Sequence, residues 1–136
     1  MIAWEHLLGF LALGAAILSA AAFGQAHERI VAAAMAIAAL LSSLLTSGRF
    51  LGPEVSLLLV DFALLVVIGA VAFQSAKFWP LLACGFHLNA LLVHATNFLP
   101  FHFAPDAYAD ALVLWSHLTC FSLAIGAWWE RPVRSR

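Results

Sequence analysis

Five long apolar runs, four uncharged and one carrying a single charge, fill most of this 136-residue chain. They cover residues 7–24, 30–48, 55–76, 80–99 and 111–129, and the interruptions between them hold most of the charges and three of the five prolines. A helix that crosses about 30 Å of hydrocarbon at about 1.5 Å per residue needs about 20 such residues. None of the runs alternates with period two, so helices are expected rather than the strands of a barrel. The sequence therefore predicts an all-α integral membrane bundle of five transmembrane helices in one domain, 1–136. The first two runs are separated by only 25–29. That suits antiparallel neighbours, and the count falls to four if one run is a re-entrant segment.

Composition excludes the main alternatives. The chain is 65% hydrophobic and 10% charged, against about 45–50% and about 25% for a soluble domain. A net charge of -1 gives no basic field for nucleic acid. Two cysteines cannot make a disulfide scaffold. No phosphate-binding loop, dinucleotide fingerprint or nucleophile elbow is present, and the loops are too short for a soluble catalytic domain, so catalysis is not expected.

Basic residues set the expected orientation. Arg29, Lys77, Arg131, Arg134 and Arg136 fall on one side, and only Arg49 on the other. The N-terminus is thus expected outside and the C-terminus in the cytoplasm, in a bacterial inner (cytoplasmic) membrane. A cleaved signal peptide would need a basic n-region, which 1–6 lacks. Trp4, Trp79, Trp128 and Trp129 sit at run ends, where interface anchors are expected. Ala12, Ala16 and Ala20, with Ala34, Ala38 and Ser42 or Ala39, Ser43 and Ser47, form small-residue ridges that would let the first two helices pack closely.

Polar side chains at membrane depth are the candidate functional groups, because an ionisable residue costs about 2.5–3.5 kcal/mol near the bilayer centre. Counted from run midpoints, Asp61 and His94 lie roughly 7 Å to the outer side, and His117 roughly 4–5 Å. His87 and His94, seven apart, share a helix face on which Asn97 also falls. Cys84 precedes His87 by one turn and Cys120 follows His117 by one turn.

Several uses of this layer are conceivable. Asp61, His94 and His117 suit a metal ion, with His6 and His102 as outer ligands, and the cysteines would suit copper(I). His94 and His117 could be the axial ligands of a haem. Asp61 with the histidines could instead carry protons or ions, in a homo-oligomer given so small a chain. The plainest reading is that these groups are interhelical glue at roughly 0.5–2 kcal/mol each. The chain would then be a non-catalytic accessory or scaffold subunit of a larger membrane complex, with the lipid bilayer as its solvent. The sequence favours that last reading, with proton, ion or metal handling as its alternative.

Overall fold

The computed structural model describes residues 2–45, 55–99 and 104–129, with side chains placed for 7–45, 55–99, 104 and 106–129. Five helices follow one another: α1 (Ile2–Phe23), α2 (Ala26–Leu45), α3 (Val55–Gln74), α4 (Trp79–Thr96) and α5 (Pro105–Trp129). No strand occurs among the described residues. Each helix packs on the next, α5 closes the ring against α1, and α2 reaches across to α5.

The α1–α2 turn is shorter than the charged interruption suggests. Gly24 N–H donates to the Ala20 carbonyl at 2.9 Å and finishes α1. A Cβ at Gly24 would overlap that same carbonyl and the Glu28 side chain, so only glycine fits the approach. Glu28 then reaches back to accept the Gln25 N–H at 2.8 Å, one half of a capping box. Helix α2 therefore begins at Ala26, ahead of its apolar run, and Glu28 and Arg29 lie inside it.

At the next turn α4 starts at Trp79, one residue before Pro80, which occupies the first turn where a missing N–H costs nothing. Helix α5 starts at Pro105, well before its apolar run and in keeping with Pro105 and Asp106 as a helix start. These early starts bring Glu28 and Tyr108 into regular helix.

Small residues let the helices close on each other. Ala16 and Ala20 of α1 are buried against Val31, Ala32, Met35 and Ala38 of α2, while Ile68 and Leu123 are fully enclosed. Of the two ridges on α2, the inward one contains Ala38. Ser43, on the other, is exposed and donates to the Leu40 carbonyl at 2.7 Å. Ser47 lies outside the described residues.

The polarity runs inside out relative to a soluble protein. Phe10, Leu18, Ile37, Phe62, Leu92 and Trp129 are exposed, and Phe73 almost completely so at 95%. Glu28, His87, His94, Thr119 and Ser122 are buried. Three helices, Ala26–Leu45, Val55–Gln74 and Asp106–Trp129, are long and apolar enough to cross a membrane. In α1 the apolar stretch among the residues with described side chains is Leu7–Phe23. Helix α4 is diluted by His87, Asn89 and His94.

Candidate functional site: a carboxylate between two histidines

Asp61 sits two turns into α3, and α4 runs beside it with His87 and His94 on the facing stripe. The seven-residue spacing places the two imidazoles on either side of the Asp61 level. His94 Nε2 lies 2.9 Å from Asp61 Oδ2. His87 Nε2 lies 3.0 Å from the Asp61 backbone carbonyl oxygen and 3.9 Å from Oδ1. On the far side of His94, the Tyr108 hydroxyl of α5 stands 2.8 Å from Nδ1, with the two rings edge to face. Three helices thus meet in one polar chain, a hydrogen bond joining Tyr108 to His94 and an ion-pair contact joining His94 to Asp61.

Protonation states follow from the partners. A carbonyl oxygen only accepts, so His87 Nε2 carries the hydrogen and its Nδ1 is left as an acceptor. Against an ionised Asp61, His94 keeps its hydrogen on Nε2, beside Oδ2, and the Tyr108 O–H donates to Nδ1. Both ring nitrogens of His94 are then occupied. A haem ligand at His94 would have to break one of these bonds.

His117 belongs to the same region in a different role. Its Nδ1 lies 2.6 Å from the Val113 carbonyl oxygen of its own helix, so it donates there and leaves Nε2 as an acceptor. It faces a cavity of about 320 Å³ that all five helices line and that Asp61 and His87 also border. The layer expected from Asp61, His94 and His117 is therefore built differently. Asp61, His94, His87 and Tyr108 form the bonded cluster, and His117 stands across the cavity. The i,i−4 bond that turns the His117 ring back onto α5 is the physical reason.

The remaining candidates are more dispersed. Asn97 ends α4, half-buried, with its backbone N–H turned to the His94 carbonyl. Cys84 is half-buried, Cys120 is buried at the cavity wall, and both are free thiols. His102 and the side chain of His6 lie outside the described residues. Among the described residues, no three His, Cys, Asp or Glu side chains gather closely enough to hold a metal ion.

A second polar cluster lies at the opposite end of the bundle. Glu28, with its side chain 1% exposed, accepts Lys77 Nζ at 2.7 Å and Trp79 Nε1–H at 2.9 Å on the same oxygen. A Cβ at Gly126 of α5 would overlap the Trp79 side chain. Trp79 is thus no interface anchor: it is buried between α2 and α5, because its N–H finds a carboxylate and its ring finds a glycine. Trp128 and Trp129 are exposed, as anchors should be.

Sequence reasoning overlooked Glu28 and Tyr108. A glutamate three residues into a helix after a glycine turn is a capping signal. The only tyrosine of the chain, beside Pro105 and Asp106 at a helix start, is the corresponding one for the site. The chain matches no protein-family model, no curated protein and no solved structure, so its geometry carries the functional argument alone.

Proposed function

We propose that all five helices cross a membrane and that the bundle holds a reversible proton-binding site at Asp61, loaded through Tyr108 and His94. The observation that supports this reading is the chain Tyr108 Oη, His94 Nδ1, His94 Nε2, Asp61 Oδ2, a hydrogen bond of 2.8 Å followed by an ion-pair contact of 2.9 Å. Histidine titrates near neutrality and can accept at one nitrogen while releasing from the other. A proton passed from the Tyr108 hydroxyl to Nδ1 gives an imidazolium. That imidazolium can release its Nε2 proton to Asp61, and the hydroxyl recovers a proton from its other side.

After one such passage His94 holds its hydrogen on Nδ1, the opposite tautomer. A second passage in the same direction requires the ring to turn, which its packing against Tyr108 opposes. The arrangement therefore suits uptake and release by the same route better than continuous conduction. A proton-linked membrane protein, in which loading of Asp61 accompanies another event, is the function this favours.

Infrared difference spectroscopy on the detergent-purified protein, recorded on stepwise acidification, tests it. A protonated-carboxyl C=O band should appear on acidification, vanish in Asp61→Asn and form more slowly in Tyr108→Phe. If no carboxyl band titrates, or if the band survives Asp61→Asn, the proposal fails.

The alternative is a scaffold or accessory subunit, supported by the fact that the same bonds tie α3, α4 and α5 together. In that case no band titrates, and a stoichiometric partner co-purifies in mild detergent.

A further inference from the structure

The cavity beside Asp61 has a chemistry of its own. Its walls are largely apolar, with Phe10, Leu13, Met35 and Leu64 among them, and its polar groups are Asp61, His87 and His117 with the hydroxyls of Ser42, Ser116 and Thr119. No lysine or arginine lines it. The two imidazoles each donate to a backbone carbonyl and so keep one ring nitrogen as an acceptor. Asp61 gives Oδ2 to His94, while Oδ1 receives no hydrogen bond among the described residues and has His87 Nε2 only at 3.9 Å. With its side chain 21% exposed, that carboxylate is accessible rather than sealed. The carboxylate and the two imidazoles therefore offer acceptors to the cavity, and its one formal charge is negative.

Such a site selects its occupant by charge and by donors. An anion would meet the carboxylate and the acceptors. A bare metal ion needs ligands drawn close on all sides, and no three described candidates gather so. A neutral apolar molecule would leave Asp61 Oδ1 desolvated and unpaired, which is unfavourable. A primary ammonium carries positive charge and three N–H donors that suit the carboxylate and the acceptors. A volume of about 320 Å³ lies at the small end of ligand sites, which run from about 300 to 1,000 Å³, so the body must be short.

We propose that this cavity binds a primary ammonium ion carried on a small apolar or aromatic body, the ammonium on Asp61 and the body between α1, α2 and α5. The proposal rests on the reading of Asp61 as an ionisable site. It adds that cation and proton compete there, so that each ammonium bound to protonated protein displaces a proton.

Calorimetry on the detergent-purified protein with 2-phenylethylammonium, beside its neutral isostere 2-phenylethanol, tests this. The ammonium should bind at least about tenfold more tightly than the alcohol. Its affinity should fall as the pH is lowered, and its apparent heat should depend on the buffer through proton release. Asp61→Asn should bring the two probes together. Ala39→Leu, which fills the cavity wall, should abolish ammonium binding while leaving the infrared carboxyl band in place.

Equal binding of the two probes would overturn the proposal in favour of a merely apolar cavity. So would the absence of ammonium binding, or ammonium binding unchanged by Asp61→Asn. The wild-type comparison needs no variant, so a misfolded Asp61→Asn protein would not weaken it. A carboxyl band that titrates without any ammonium binding would sink this inference and spare the proton site.

Discussion

Glu28 shows how much one buried side chain can organise. Its two oxygens serve the Gln25 N–H, the Lys77 ammonium and the Trp79 indole, so it caps α2 and fixes the start of α4 at once. Removing one partner of a buried charged cluster costs about 3–5 kcal/mol when the other is left without compensation. Lys77 keeps partial exposure, which places Glu28→Ala at the lower end, about 3 kcal/mol less stable. Glu28→Gln should cost about half as much, because an amide oxygen can still accept from Trp79 and Lys77. Reversible unfolding in mixed detergent micelles measures both, and equal loss in the two variants would show that the charge rather than the acceptor matters.

At the scale of helices, glycines distinguish packing from propensity. Gly69 and Gly85 have open space where a Cβ would go. Replacing either by alanine should raise stability by up to about 1 kcal/mol through helix propensity alone. Gly126 lies under the Trp79 ring, and Gly126→Ala should lower stability by about 1–3 kcal/mol through overpacking. Thermal unfolding of the three variants side by side checks the contrast, which collapses if all three shift in one direction. The α3–α4 contact has its own measure. A double-mutant cycle of Asp61→Ala and His94→Ala should give a coupling of roughly 0.5–2 kcal/mol, the range for interhelical hydrogen bonds.

The helices themselves were legible in the sequence because run length and the absence of charge are properties of single segments. The starts of α1 and α2 were not, whereas Pro80 and the Pro105–Asp106 pair mark those of α4 and α5. Glu28 and Arg29 read as a break until the carboxylate turns back on its own helix, and Trp79 reads as an anchor until Gly126 is known to lie against it. The pairing of Asp61 with His94 was legible from depth. His87 was available from the seven-residue stripe. The rotation of His117 onto Val113 and the bond of Tyr108 to His94 depend on rotamers, which periodicity does not encode.

Taken as a whole, the molecule puts its oily side chains outward and its ionisable ones inward, and this accounts for the odd behaviour of α4. Hydropathy averages a helix over all its faces, yet only the outer face meets lipid. In α4 His87 and His94 are buried against α3 and α5, while Leu81, Leu88 and Leu92 are exposed. A helix can thus be lipid-compatible on its exposed side and polar on average. If α1 and α4 cross with the other three, the chain passes the bilayer an odd number of times and its ends lie in opposite compartments. The proposed topology, with the surplus of Lys and Arg at the Lys77 end inside, would put the C-terminus in the cytoplasm. A fluorescent-protein fusion at the C-terminus should therefore be bright, and an alkaline phosphatase fusion at the N-terminus active. Replacing His87 and His94 together by leucine should leave both readings unchanged, since neither side chain faces lipid. Both ends reporting from one compartment would mean that one helix does not cross, and a cysteine scan of α1 and α4 for aqueous labelling would identify which.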